Sequence, residues 1–451
     1  MIHQNNLSEQ SQNGFSQIFS YLKVGALLRQ AGIRKSYGFS SFVVFQILFQ
    51  MVFQGLSLLR LLESKRGENL PHKDVYYRFL NDSQFNWRRF YLLVCAKVIG
   101  FFETLTSSKR IRVFIIDDSP FGRERSKKVE LLAKVYDHVS GKFIRGFQLL
   151  TLGWSDGFSF VPVDFALMSS AKEENRYHEA QEGIDKRLSG YKRRQEAVLA
   201  KPKVALQMLK RALQEGLRAD YILMDNWYTF VPFLEKILFE GLHIIGGLKD
   251  LHQRYLYQGQ SLSLKSLYVL MPKNGKGEPI IGSLIVKSKS GLNLKIVFVQ
   301  NRKKPKEWIC LLATDVALDD AEIVRIYGMR WSIETFHKAI KSLLKLGKEF
   351  QGRSYDMLIS HTTIVYTRYL VLEFERRQNT DERTFGGMFY FFYDEVRDMD
   401  LMTALRQLMI FAFSMLAKSS NQDQLNCQVI DWVNQLPNYI KALWPVSLCE
   451  T

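Results

Sequence analysis

Apolar positions fall in three different rhythms along the chain, and each predicts a different element. From Phe39 to Leu62 they are nearly continuous, broken by Gln46, Gln50 and Gln54 at every fourth position. Such a polar stripe is costly in lipid and ordinary in a buried helix in water, so this stretch predicts a core helix, not a membrane span. From Arg112 to Ile116, and again from Tyr221 to Met224, short apolar runs of strand length stop on carboxylates: Asp117 and Asp118 in the first case, Asp225 in the second. Runs of that kind predict strands covered on both faces. From Tyr327 to Leu343 the rhythm is helical. At about 100° per residue, Tyr327, Arg330, Glu334 and Lys341 fall within an arc of roughly 60°, flanked by Trp331 and Lys338. Met329, Ile333, Phe336, Ile340 and Leu343 take the opposite face, predicting one amphipathic helix that packs on a core and presents a carboxylate among cations.

Around these signals the chain reads as mixed α and β. Turn-forming residues at Ser140–Lys142 and Ser155–Gly157 divide 112–167 into an antiparallel meander. Helices are expected over 203–215 and 231–239. Strands are expected over 243–246, 279–287, 294–299 and 308–312, with a hairpin turn at 274–277. Before Arg112 the chain reads as several helices with interleaved basic and aromatic residues, among them a helix opened by Pro71 that carries Lys73, Tyr76, Tyr77 and Arg78. Lys192, Arg193 and Arg194 lie in a basic segment expected to be a loop that grips a nucleic-acid backbone. Beyond Arg353 the pattern is helical and aromatic, suited to helix packing or self-association.

Composition narrows the partners. With 451 residues and 47% hydrophobic content the chain supports a large folded core. Its formal charge of +17 favours a polyanionic partner. Cys95, Cys310, Cys427 and Cys449 form no closely spaced pair, which speaks against a zinc site or a disulfide framework. The polar opening segment carries no secretory pattern, so a cytoplasmic protein without membrane association is expected, at the nucleoid when DNA-bound.

Two strand-end aspartates and a helical glutamate make a candidate hard-cation site, because Mg²⁺ prefers oxygen donors and is usually held by a few carboxylates plus substrate phosphate. An aspartyl-phosphate mechanism at Asp117 or Asp118 fits poorly. It wants a second Asp two residues on, where Ser119 and Pro120 stand.

Taken together, these residues resemble the DDE transposases of bacterial insertion sequences, of the insertion-sequence-four type. Their Tyr-Arg-Glu-Lys signature has the spacing of Tyr327, Arg330, Glu334 and Lys341 here, and the two aspartates lie upstream in the expected order. The resemblance runs from about Arg110 to about Arg353. It implies an α/β fold, with a ribonuclease-H-like catalytic core interrupted by a β-rich insertion and with helical N- and C-terminal regions. It further implies that Asp118, Asp225 and Glu334 bind two Mg²⁺ ions, Mn²⁺ substituting, and that Tyr327, Arg330 and Lys341 grip phosphates beside the scissile bond. Trp331 matches the signature tryptophan that handles a flipped base. Asp118 is preferred to Asp117 because relatives place the acid directly before Ser or Thr, and alternation along a strand points only one of the pair toward the site.

The expected organisation is a helical DNA-end-binding region over 1–108, a core over 109–249 and 313–352, a β-rich insertion over 250–312 and a helical region over 353–451. The expected partner is double-stranded DNA, as terminal inverted repeats and as target, bound by a homodimer. A metal-dependent nuclease without strand transfer would use the same acids, and a non-catalytic DNA-binding derivative would be expected to have lost at least one.

Overall fold

The computed structural model describes residues 14–396, apart from 65, 66, 68, 69, 108, 139, 250–252, 276, 277, 302, 303, 305, 306, 351, 380, 381 and 395. The expected turn at 274–277, Cys427, Cys449 and most of the expected C-terminal region therefore lie wholly or partly outside the described residues.

Six helices open the described chain: α1 (Gly14–Leu22), α2 (Val24–Gln30), α3 (Ser41–Gln54), α4 (Leu58–Glu63), α5 (Lys73–Asn81) and α6 (Trp87–Thr104). The apolar stretch read as one helix is two. Gly55 ends α3 in the left-handed region at φ 69°, and the Ser57 hydroxyl caps α4 by accepting from the Arg60 N–H. Gln46, Gln50 and Gln54 form the half-buried stripe their spacing implied. Among the described residues no helix is long and apolar enough to cross a membrane.

The sheet begins with the expected meander, β1 (Val113–Gly122), β2 (Ala133–Asp137), β3 (Lys142–Ser155) and β4 (Phe160–Met168), with Gly141 and Gly157 turning at positive φ. Helices α7 (Ser189–Ala197) and α8 (Lys201–Gln214) lead to β5 (Tyr221–Met224), and α9 (Val231–Phe239) leads to β6 (His243–Leu248). β5 runs parallel to both β1 and β6. The order β4-β3-β1-β5-β6, three antiparallel strands followed by two parallel ones, is that of a ribonuclease-H-like core.

The expected β-rich insertion is present but is not a separate layer. After β7 (Tyr255–Tyr257), β8 (Gln260–Leu262) and α10 (Leu264–Leu270), the strands β9 (Ile280–Lys287), β10 (Asn293–Gln300) and β11 (Trp308–Ala313) continue the same sheet, β11 pairing antiparallel with β6. Trp308 stacks on Tyr268 with centroids 5.5 Å apart, a packing role.

Helices α11 (Asp320–Gly328), α12 (Trp331–Ser342) and α13 (Tyr355–Gln378) close the described core, and 385–394 is helical beyond them. From Tyr355 to Phe374 every residue of α13 is buried. Its buried arginine is satisfied internally: Arg368 donates to the carbonyls of Leu48 and Phe49 in α3 and pairs with Glu349. Helices α1, α3, α5 and α6 pack around α13, so the N-terminal helices share its core. Tyr76, on the helix that Pro71 precedes, is buried in that core.

Candidate active site

β1 is buried on both faces over Val113–Ile116 and then presents its carboxylates alternately. Asp117 lies opposite Thr151 of β3, whose hydroxyl meets Tyr366 of α13 at 2.8 Å and His337 of α12 at 3.5 Å, so Asp117 faces α12 and α13. Asp118 faces the other way. Its carboxylate accepts from Lys201 Nζ at the start of α8 (2.7 Å) and from the Tyr228 hydroxyl (3.1 Å).

Asp225 arrives at the same level because Met224 pairs with Ile116 in the parallel β1–β5 ladder. It is pinned in a turn by the Trp227 N–H, which donates to Oδ1 at 3.0 Å. Asp117, Asp118 and Asp225 interact electrostatically. Burial, with repulsion from Asp225 and Asp118, outweighs the nearby Arg330 and pushes Asp117 up to about 7. Asp225 is raised as well, chiefly by burial and then by Asp118, against the Trp227 N–H and Arg330.

The segment from Tyr327 to Lys341 is not one helix. α11 ends at Gly328 and α12 starts at Trp331, with Met329 and Arg330 joining them in right-handed helical backbone through i to i+3 hydrogen bonds. The polar residues nevertheless gather. The Arg330 guanidinium lies 5.7 Å from the Tyr327 ring, donates to Glu334 at 2.5 Å and stands 3.8 Å from Asp117. Lys341 Nζ donates to the Ser119 hydroxyl at 2.5 Å. Trp331 and Lys338 are exposed beside them.

The basic segment expected to be a loop is helix α7, which corrects part of the sequence reading. Arg193 and Arg194 are buried and unavailable to DNA: Arg194 pairs with Glu130 and Asp356, and Arg193 donates to the Phe165 carbonyl. Buried acids on β4, α7 and α13 need these charges, so the arginines turn inward. Lys192 alone of the three is exposed.

Lys201, Trp227 and Tyr228 complete the site and were not singled out from sequence. The Lys201 ammonium lies 5.0 Å from the ring of the exposed Trp227. One signal was available for it, since a lysine in a first helical turn opposes the helix dipole and calls for a nearby carboxylate.

Among the described residues no three His, Cys, Asp or Glu side chains converge as a ready metal-binding group. Glu334 is engaged by Arg330 and Asp118 by Lys201. The donor chemistry does fit a hard divalent cation. Asp117 and Asp225 are half-buried carboxylates pushed toward protonation, a condition that bound positive charge relieves.

Residues 51–261 match a domain described as DDE superfamily endonuclease, and residues 185–363 match one described as transposase DDE domain. The chain is 23% identical to the transposase for insertion sequence element IS1151 of Clostridium perfringens, over 30% of this chain and 34% of that protein. The match thus spans about a third of the relative's length. These are likenesses to DDE transposase and endonuclease domains, and nucleases of that superfamily generally depend on divalent metal.

Proposed function

We propose that the protein is a transposase of the insertion-sequence-four type that binds the ends of its own insertion sequence as a homodimer. It cuts the phosphodiester there and transfers the strand to target DNA. The observation that carries this reading is the meeting of β1, β5 and α12, where Asp117 interacts electrostatically with Asp118 and Asp225 and where Arg330 stands between Asp117 and Glu334.

In this reading Asp118, Asp225 and Glu334 hold Mg²⁺ or Mn²⁺, two ions per site, with Asp117 completing the carboxylate cluster on the α12 side. When bound, such ions lower the pKa of a water or 3′-hydroxyl and stabilise the departing oxygen. The protein's own groups do the rest. Lys201 and Arg330 neutralise the acids until positive charge replaces them. Arg330, once released from Glu334, offers a two-pronged contact to a phosphate, and Lys341, seated on Ser119, offers a point charge. Tyr327 orients Arg330 through its ring. Trp331, 61% exposed, is free to stack on an unpaired base. End recognition is assigned to the cations of the helices over 1–108.

Incubating the protein with pre-cut terminal repeats and a supercoiled plasmid in Mn²⁺ tests strand transfer. Joined products support the reading. Cleavage of repeat-containing DNA without joining moves the protein to the class of metal-dependent nucleases.

A further inference from the structure

The two elements that carry acids on either side of the site continue past it into the walls of one cleft. Beyond Asp117 and Asp118, β1 ends at Gly122 and the chain turns through Arg123–Val129. Beyond Glu334 and Lys341, α12 ends at Ser342 and the chain runs on to Gly347–Arg353. Between these segments lies a cleft of about 960 Å³. Arg123 ties the walls together by donating to the carbonyls of Gly347 (3.0 Å) and Phe350 (3.2 Å). Gly347 allows the close approach, having φ +73° and lying where an added Cβ would come within 3.3 Å of the Phe121 ring.

Five exposed cations line this cleft: Arg125, Lys127, Lys128, Lys348 and Arg353. Glu124 is the single acid of the lining, and among the described residues none of the five cations makes an ion pair. Elsewhere on the surface of the described residues some cations are paired, Arg112 with Glu103, Lys210 with Glu240 and Arg325 with Glu322, and others such as Lys236, Lys287 and Lys289 are not, but those do not line this cleft. Concentrated like charge repels itself unless a polyanion offsets it, and a concave wall focuses that potential. A flat membrane surface does not fit a cleft. A strand leaving the acid cluster does, since Gly122 lies four residues, or about 13 Å, along β1 from Asp118.

We propose that this cleft holds the phosphate backbone of the DNA segment adjoining the acid cluster, a surface distinct from the signature helix. The inference rests on the proposed DNA-processing function. All five cations are exposed, so replacing them leaves the core untouched.

The test compares three full-length proteins by fluorescence anisotropy with a 30-base-pair duplex across a NaCl titration. They are the natural sequence, a variant with Arg125→Gln, Lys127→Gln, Lys128→Gln, Lys348→Gln and Arg353→Gln, and a control with Lys236→Gln, Lys287→Gln and Lys289→Gln. Each contacted phosphate contributes about 0.9 to the slope of log affinity against log salt, so the cleft variant is expected to lose about 3 to 4 from that slope and the control less than about 1. Equal slopes for all three overturn the cleft and leave the DNA reading standing. A natural protein that binds no duplex at all overturns both. If the cleft variant loses binding to polyglutamate while its DNA slope is unchanged, the partner is an acidic polypeptide and the proposal fails.

Discussion

Lys201 and Asp118 lie 83 residues apart and meet at 2.7 Å, placing an ammonium where a carboxylate faces the Asp225 side of the site. Arg330 does the same for Glu334 on the other side. The acids are thus balanced by two cations of the chain itself, and a divalent ion must compete with both.

Substituting the acids separates their roles. Asp118→Asn, Asp225→Asn and Glu334→Gln are each expected to abolish DNA cleavage while leaving DNA affinity within about threefold, because a metal-binding charge is removed and no basic contact is lost. Asp117→Asn is the informative neighbour. If it is inactive while Asp118→Asn cleaves normally, the first acid is the carboxylate facing α12.

Asp117 also predicts a pH dependence. Its folded-state pKa of about 7 lies above the ordinary value of 3.8, so between about pH 4 and pH 7 the folded protein keeps a proton that the unfolded chain has released. This residue's contribution to stability therefore falls as pH rises through that window and is constant above it. Asp117→Asn is expected to stabilise the protein by about 2 kcal/mol at pH 8, with a ceiling near 4 from the size of the shift, and to change little at pH 4. Thermal unfolding at the two pH values checks this, and equal changes at both would refute the assignment.

Arg330→Ala and Lys341→Ala are expected to weaken affinity for pre-cut DNA ends about tenfold each, as phosphate contacts do, and neither is expected to lower metal affinity, Arg330→Ala removing a cation that competes for Glu334. Calorimetry reads both quantities. Loss of metal binding in Arg330→Ala with DNA-end affinity intact would contradict the role given to it.

Arg194→Ala is expected to cost about 3–5 kcal/mol in urea unfolding, since it strands Glu130 and Asp356 in the interior. A DNA-gripping surface arginine would show weakened binding and near-normal stability instead.

The parts of the fold that were legible in sequence are those governed by local pattern. The strands that carry Asp117 and lead to Asp225 followed from continuous apolar runs, although β1 runs on past its acids to Gly122, and the meander followed from glycines that turn at positive φ. The break between α11 and α12 was not legible, because Met329 and Arg330 keep helical backbone and alter only the hydrogen-bond step. The fate of Arg193 and Arg194 was not legible either. Charge density looks the same in a loop and in a buried network, and the acids that draw them inward lie as far away as residues 130 and 356. Lys201 escaped notice for the same reason, its partner being 83 positions upstream.

The most direct test of the central claim is to incubate the purified protein with DNA spanning its own gene and flanks, with and without Mg²⁺, and to map every cut. The expected result is metal-dependent cleavage at a pair of inverted repeats bracketing the gene, absent with Asp225→Asn and with Glu334→Gln. Cuts scattered without regard to those repeats, or cleavage that persists in both variants, would contradict it.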